Sequence, residues 1–294
     1  MKKVKVTIGL CVKNVEQTVK ETICSILNQD FPHERMELIV VDGCSKDKTL
    51  SIIREMIMKT DIKFQIFCEN NGLGFARQVV ANNAKGDYII WVDGDMVLPR
   101  NFLSTQVKFM EQHSKVGIGK ARYCIGEENY KSLPAFLEDV DFVIGYIGSR
   151  KAKPKVLGTS GSIYRVEAIK QAGGFDENMR AGEDADIEYR VKANGWSICI
   201  TPAVFSERRR TTWRLLWDEY FWLGYGTYYL YKKQKEFTRD YRKIIFPLIT
   251  IAVILQRTSL AYRLLHQKTV LLLPLHWIFK RLAWIRGFLK AAFF

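Results

Sequence analysis

Apolar runs typical of β-strands alternate with helical repeats over the first hundred residues, and this alternation most restricts the fold. The strand-like runs are Val4–Cys11, Leu38–Val41, Phe64–Cys68 and Tyr88–Val92. Segments with apolar residues at helical spacing separate them, and Asn14 is placed to cap the first of these helices. Strands joined through helices lie parallel, so the pattern predicts an α/β fold with a largely parallel sheet and helices on both faces.

Acidic residues follow two of the predicted strands. Asp42 follows the second strand, and Asp93-Gly94-Asp95 follows the fourth. Ligands of parallel α/β sheets bind beyond the carboxyl ends of the strands. Two carboxylates there could hold a divalent cation on a diphosphate, and the glycine between them would let a ligand approach the backbone closely. The triplet alone favours a solvated turn, and its position after a predicted parallel strand is what supports the metal interpretation.

Two other segments carry candidate site residues. Asn70–Arg77 combines a Gly-bearing loop with the start of a helix, so its amides and Arg77 could bind phosphate. Glu183-Asp184 opens a later helix, where a carboxylate could accept a proton from a hydroxyl group. The simpler alternatives are a surface arginine at a helix start and an acid interacting with a helix dipole.

Positive charge is concentrated in the C-terminal third. The formal net charge is +14, and from Phe205 onward 17 Lys and Arg residues stand against five Asp and Glu residues. Aromatic residues crowd 213–231, and the apolar runs Ile244–Leu255 and Val270–Phe279 follow. Each run is shorter than the ~20 residues that cross a bilayer, and flanking cations with Trp and Tyr are typical of helices in the headgroup region. Arg208-Arg209-Arg210 could add headgroup or phosphate contacts. Core helices of a soluble domain would explain the apolar runs but not the one-sided charge.

The cysteines and the N-terminus bear on cellular location. The six cysteines are scattered singly, which favours a reducing compartment over a disulfide framework or a zinc site. Met1-Lys2-Lys3 and the short Val/Ile run after it do not resemble a signal peptide. We therefore expect the protein to lie on the cytoplasmic face of the cell membrane, with peripheral or monotopic attachment to an anionic lipid surface.

Taken in order, these segments resemble the family-2 inverting glycosyltransferases, which have the GT-A fold. The resemblance runs from about residue 4 to residue 200. Its matching segments are 6–16, 25–29, 37–49, 71–77, 86–95, 158–165, 173–177 and 182–195. It implies a Rossmann-like, mostly parallel sheet in a catalytic domain at 1–205, with a nucleotide-binding half at 1–100 and an acceptor half at 101–205. Residues 206–294 would form a basic, aromatic, helical region that associates with the membrane.

The resemblance also implies roles for individual residues. The nucleotide-binding residues would be Cys11, Asn14, Glu16, Asp42, Arg77, Asp93 and Gly94. Asp42 would bind the base, and Asp95 together with Asp93 would hold Mn²⁺ or Mg²⁺. Asp184 would deprotonate a hydroxyl acceptor on a glycan, a glycolipid or a lipid-linked sugar. One sugar would then pass from a UDP- or GDP-sugar in a single displacement with inversion, through an oxocarbenium-like transition state.

The chain departs from the family pattern in three places. Gly43 stands where a second aspartate is common. Ser206-Glu207 stands where some relatives have a metal-binding histidine, and Glu207 could replace it. The Gln-x-x-Arg-Trp motif of processive members is absent, so addition of a single sugar is favoured over polymer synthesis.

Three alternative functions compete with this interpretation. A polyprenyl-phosphate glycosyltransferase would need no base, because its nucleophile is already an anion. A nucleotidyltransferase would carry a Gly-rich phosphate loop after the first strand, where this chain has Cys11–Asn14. A non-catalytic membrane scaffold would not need to keep all four candidate aspartates, which are Asp42, Asp93, Asp95 and Asp184. Nucleic-acid binding is disfavoured, because the aromatic cluster comes with long apolar runs.

Overall fold

The computed structural model describes residues 3–148, 158–179, 182–233 and 247–293. The chain divides into two compact units: Met1–Arg122 with Val156–Glu207, and Tyr123–Lys155 with Arg208–Phe294. The sequence suggested one continuous catalytic domain up to residue 205. In the structure, the described residues from Tyr123 to Gly148 group with the C-terminal helices.

Within the described residues, eight strands form a sheet in the order β3-β2-β1-β4-β7-β6-β8-β5. The strands are β1 (Val6–Val12), β2 (Met36–Asp42), β3 (Lys63–Cys68), β4 (Tyr88–Asp93), β5 (Met96–Val97), β6 (Val116–Tyr123), β7 (Ser162–Arg165) and β8 (Ser197–Glu207). β1 pairs in parallel with β2 and β4, and β2 pairs in parallel with β3. β7 is antiparallel to both β4 and β6, and β5 is antiparallel to β8. The predicted α/β fold with a mostly parallel sheet is confirmed.

Helices flank the sheet and make up most of the second unit. The described helices are α1 (Val19–Leu27), α2 (Thr49–Ile57), α3 (Leu73–Asn83), α4 (Phe102–Gln112), α5 (Leu133–Gly148), α6 (Val166–Gln171), α7 (Glu183–Ala193), α8 (Trp213–Lys233), α9 (Pro247–Leu265) and α10 (Leu273–Phe293). Helices α5, α8, α9 and α10 belong to the second unit. None of the helices in the described ranges combines the length and the hydrophobicity needed to cross a membrane.

The core of the first unit is built around Trp91 on β4. Its ring makes edge-to-face contacts with Tyr164 and Phe175, at centroid distances of 6.2 and 5.3 Å. On β1, a Cβ atom at Gly9 would lie 2.7 Å from the Trp91 ring, so only glycine lets the indole pack against this strand. Apolar packing on the central strands therefore positions the loops that follow them.

In the second unit, helices α8 and α10 cross with their backbones in contact. A Cβ atom on Gly224 would lie 1.9 Å from the Trp284 carbonyl oxygen, and one on Gly287 would lie 1.8 Å from the Phe221 carbonyl oxygen. A second apolar cluster joins α5 to α9, to the start of α10 and to the segment between them. Its buried members are Phe136, Leu137, Val140, Ile144, Ala261, Val270 and Leu273.

A buried polar cluster also holds this unit together. The Glu138 carboxylate accepts hydrogen bonds from the Tyr220 hydroxyl at 2.5 Å and from Lys280 Nζ at 2.7 Å, and His276 Nε2 lies 2.7 Å from it. Lys280 also donates to Asp141 at 2.7 Å. Burial alone would raise the pKa of Glu138, but Lys280 and His276 outweigh it and hold this pKa well below its ordinary value.

We expect Gly224→Ala and Gly287→Ala each to destabilise the second unit by about 1–3 kcal/mol, because the added methyl group forces the two helices apart. Thermal unfolding followed by circular dichroism measures this effect. Gly145→Ala on α5 is the matched control, since its Cβ would lie 3.6 Å from the nearest side-chain atom. Unfolding temperatures of Gly224→Ala and Gly287→Ala equal to that of Gly145→Ala would contradict the close crossing.

We expect Glu138→Gln to lower the free energy of unfolding at pH 7 by about 1–3 kcal/mol, because the buried Lys280 would lose one of its two carboxylate partners and keep Asp141. The folded-state pKa of Glu138 lies below its unfolded value, so its stabilising contribution is complete above about pH 5 and is lost as the pH falls. The difference from wild type should therefore shrink below about pH 4. Glu55→Gln, which alters an exposed ion pair with Lys59, is the control. A difference that does not change with pH would contradict the ionised Glu138.

Candidate functional site

Three neighbouring strands bring predicted site residues to one edge of the sheet. In the parallel register, Val12 lies opposite Asp42, and Cys11 lies opposite Asp93. Cys11, Asp42 and Asp93 therefore stand at the carboxyl ends of β1, β2 and β4, where α/β sheets bind ligands.

Asn14 and Glu16 hold the loop after β1 against the loop after β2. The Asn14 side-chain oxygen accepts the Lys46 amide at 2.8 Å, and the Asn14 amide donates to Ser45 Oγ at 2.9 Å. The Glu16 carboxylate accepts the Lys48 amide at 2.9 Å. The predicted helix cap at Asn14 is wrong, because α1 begins at Val19 and Asn14 adopts a left-handed conformation with φ of 53°. Both side chains instead shape the two loops.

Asp42 is buried and fixed in orientation at the end of β2. Its carboxylate accepts the Ser45 amide at 2.8 Å and the Ser45 hydroxyl at 2.6 Å. On the next strand, the partly exposed Cys11 has its pKa raised to about 12, chiefly by desolvation and with a smaller contribution from Asp93. The Cys11 thiol therefore stays protonated at neutral pH and would meet a ligand as an uncharged group.

The Asp93-Gly94-Asp95 triplet is fixed by packing as well as by hydrogen bonds. Asp93 accepts a hydrogen bond from the Ser160 hydroxyl. A Cβ atom on Gly94 would lie 2.8 Å from Val15 and 2.9 Å from Val12, so the glycine is required for contact with β1 and its loop. The expected role of Gly94 in letting a ligand approach the backbone stays a prediction. β5 follows the triplet at once and pairs Met96 with Glu207, which places Glu207 on the neighbouring strand.

The triplet matches a partial ligand set for a divalent cation. Among the described residues, no three Asp, Glu, His or Cys side chains form a ready-made metal cluster. Asp93 and Asp95 are both partly exposed and offer oxygen ligands. Mg²⁺ is commonly held by one or two carboxylates together with phosphate oxygens of the substrate, and Mn²⁺ also accepts oxygen ligands. The residues present therefore fit a cation whose remaining ligands come from the substrate.

Arg77 lies in a buried ion pair. Its guanidinium contacts the Glu183 carboxylate, both side chains are almost fully buried, and the guanidinium lies 5.9 Å from the centre of the Trp91 ring. The second Glu183 oxygen, Oε2, has no hydrogen-bond partner among the described residues. This pair ties α3 to the first turn of α7, beside Asp184.

Asp184 is partly exposed at the start of α7 and faces the loop 158–161. A Cβ atom on Gly158 would lie 3.5 Å from Asp184 Oδ2. One turn further along the helix, Glu188 accepts the Gly158 amide at 2.8 Å. The same loop carries Ser160, which donates to Asp93, so this short segment contacts the acid at the end of β4 and faces the acid at the start of α7.

Lys120 on β6 is a site residue that motif reasoning missed. It is fully buried, its Nζ donates to the Ser160 carbonyl oxygen, and it lies 5.4 Å from the centre of the Phe205 ring. Desolvation lowers its pKa to about 8, while Glu207, Asp93, Glu188 and Asp184 act in the opposite direction. The available signal was a lysine on the inward face of an apolar strand, two residues after Ile118.

Comparisons with known proteins agree with this arrangement. A model of the family described as Glycosyl transferase family 2 matches residues 7–173, more than half of the chain. The chain belongs to this family of glycosyltransferases.

Two relatives illustrate the sequence similarity. A poly(ribitol-phosphate) beta-N-acetylglucosaminyltransferase, TarS of Staphylococcus aureus, is 33% identical over 101 residues, which cover 34% of this chain and 18% of the relative. The probable glycosyltransferase YdaM of Bacillus subtilis is 26% identical over 255 residues, which cover 83% of this chain and 60% of the relative. The chain thus spans less than two thirds of the length of either relative.

Solved structures show the same fold. The mannosyltransferase PcManGT from Pyrobaculum calidifontis, in complex with GDP-Man and Mn²⁺, has a TM-score of 0.64 and 16% identity, covering 100% of this chain and 88% of its own. S. aureus TarS has a TM-score of 0.53 and 18% identity, covering 97% of this chain and 54% of its own. The predicted GT-A fold is confirmed.

Proposed function

We propose that this glycosyltransferase moves a single sugar from a UDP- or GDP-sugar to a hydroxyl group, with inversion and with the help of a divalent cation. The observation that carries the proposal is the loop 158–161, which contacts Asp93 on the donor side and faces Asp184 on the acceptor side. A transferase that works by one displacement needs its donor and acceptor groups on either side of a single reacting carbon.

The donor would lie over the ends of β1, β2 and β4. The loops held together by Asn14 and Glu16 would form the nucleoside pocket, in which the fixed Asp42 carboxylate accepts hydrogen bonds from the base. Asp93 and Asp95 would hold Mn²⁺ or Mg²⁺, and Glu207 lies opposite Met96 on the neighbouring strand. When bound, the cation offsets the negative charge on the departing diphosphate.

Asp184 would act as the general base. The acceptor proton passes to its carboxylate, and the acceptor oxygen forms the new bond to the anomeric carbon. The bond from that carbon to the diphosphate oxygen breaks, and the nucleoside diphosphate leaves with the electron pair. Attack from the face opposite the leaving group inverts the configuration. The partial exposure of Asp184 suits this role, because a base must reach the acceptor hydroxyl directly.

Named relatives support the choice of substrates. The PcManGT structure contains GDP-Man with Mn²⁺, and one TarS structure contains UDP-GlcNAc, so both proteins bind nucleotide sugars. The names of TarS and of a Bacillus spizizenii beta-glucosyltransferase specify poly(ribitol-phosphate), a hydroxyl-bearing polymer. A glycan or lipid-linked hydroxyl acceptor is therefore the proposal for this chain.

We expect one nucleoside diphosphate, with Mn²⁺ or Mg²⁺, to raise the melting temperature of the wild type, and Asp95→Ala to abolish the metal-dependent part of that rise.

Asp184→Asn should still bind the nucleotide, but its kcat should fall by about 10²–10⁴ because the base is lost. Thermal-shift assays and turnover with nucleotide-sugar donors measure these effects. Glu167→Gln, an exposed acid on α6, is the control.

Three outcomes would contradict the proposal. The first is folded protein that no nucleotide stabilises, which would favour a non-catalytic scaffold. The second is a product with retained anomeric configuration by NMR. The third is a sugar attached to a lipid phosphate, as in the polyprenyl-phosphate alternative, because such an acceptor needs no base and Asp184 would lose its role.

We also propose that the second unit lies on an anionic membrane surface. Large apolar side chains are exposed along one side of α10, at alternating spacings of three and four residues. They are Leu275, Ile278, Leu282, Ile285 and Leu289. Leu275 alone is 65% exposed, and the exposed cations Arg286 and Lys290 lie on the same helix. After Asp240 the sequence contains no acid, which suits an anionic lipid headgroup layer.

We expect the protein to sediment with vesicles containing anionic lipid and much less with neutral vesicles, and high salt should release part of it. Leu275→Glu combined with Leu282→Glu should weaken vesicle binding by at least about tenfold, since two exposed anchors are lost. Leu133→Glu, an exposed leucine on α5, is the matched control. Equal binding by the double variant and this control would overturn the membrane proposal.

A further inference from the structure

Lys120 holds the loop 158–161 from inside the protein. Its ammonium group donates to the carbonyl oxygen of Ser160, whose hydroxyl donates to Asp93. Ser160 therefore links the buried cation to the acid at the end of β4. The side chain of Lys120 is fully buried, so water does not compete for this contact.

Further contacts also restrict the movement of this loop. Gly161 has a φ of 65°, and a Cβ atom there would lie 2.5 Å from the Phe205 ring, so the backbone rests directly on that ring. The Gly161 amide donates to the Trp91 carbonyl oxygen at 3.0 Å. At the other end of the loop, the Gly158 amide donates to Glu188. A shift of Ser160 would therefore be transmitted to Gly158, beside Asp184.

Four carboxylates act electrostatically on the Lys120 ammonium. They belong to Glu207, Asp93, Glu188 and Asp184. These acids come from β8, β4 and α7, and like charges at this edge repel one another in the absence of a cation. A buried cation that attracts all four carboxylates offsets part of this repulsion. Lys120 is thus placed to act on Asp93, the acid proposed for the donor side, and on Asp184, the acid proposed for the acceptor side.

We propose that Lys120 is a positioning residue for the sugar transfer: through Ser160 it sets the position of the Asp93 carboxylate relative to Asp184. This inference rests on the proposed function, because the two acids serve the donor and the acceptor there. Because Lys120 is fully buried, it would act on the substrate only through these acids. Its removal should therefore impair alignment in the transition state more than binding of the donor.

The test compares Lys120→Met, Ser160→Ala and the double variant with wild type in steady-state transfer assays. Lys120→Met should lower kcat about 100-fold through misalignment. The KM for the nucleotide sugar should change by less than about threefold, since ground-state binding is retained. If Lys120 acts through Ser160, the double variant should be no worse than Lys120→Met, because the two effects are coupled.

Lys115→Met is the matched control, because Lys115 is exposed immediately before β6. It should keep the wild-type kcat. The unfolding temperature and nucleotide binding of each variant show whether it is folded. If Lys120→Met does not fold, Ser160→Ala decides the question, and it should then lower kcat with little change in the donor KM.

The possible results separate the two proposals. A Lys120→Met enzyme with kcat within about threefold of wild type, or effects that simply add in the double variant, would overturn the positioning role alone. A Ser160→Ala enzyme with wild-type kcat would also overturn it. Absence of any transfer by wild type and Lys115→Met would instead contradict the proposed function and remove the basis of both proposals.

Discussion

Parallel pairing of β1 with both β2 and β4 is the constraint on which the rest of the structure depends. This pairing sets the register that brings Asp42 and Asp93 to the same edge, and a slip of one residue would turn every side chain of a strand to the opposite face. The register is in turn fixed by apolar packing, since Gly9 leaves the space that the Trp91 ring fills. The arrangement of acids at the edge thus depends on close packing two residues away on the same strands.

Polar residues around the site serve two different purposes. Asn14, Glu16 and the Arg77–Glu183 pair are engaged with other parts of the protein, so they give the loops and helices a fixed shape. Asp95 and Asp184 remain partly exposed, as their proposed roles in cation binding and proton transfer require. A rigid surround with a few accessible carboxylates is the arrangement that preorganised catalysis requires.

Local patterns predicted the α/β class, the positions of β1 to β4 and the acids at their ends, because apolar periodicity and chain order determine which strands lie parallel. The Asn14 cap was wrong because its side chain binds the Lys46 amide, a partner distant in sequence. For the same reason, sequence spacing could not show that Arg77 is buried against Glu183, that Val12 and Val15 fill the space beside Gly94, or that Lys120 donates to the Ser160 carbonyl oxygen. Such contacts join elements far apart in the chain, and only tertiary structure defines them.

Because α5 belongs to the second unit, the order of synthesis along the chain affects when this helix can fold. This helix is synthesised before β7 and β8 complete the sheet, yet its apolar residues Phe136, Leu137 and Val140 pack against Ala261, Val270 and Leu273. During translation, the helix therefore leaves the ribosome long before its partners exist. Until they emerge, the nascent chain exposes an apolar surface that invites aggregation or chaperone binding. A protein fragment that ends after β8 would expose the apolar face of α5 permanently.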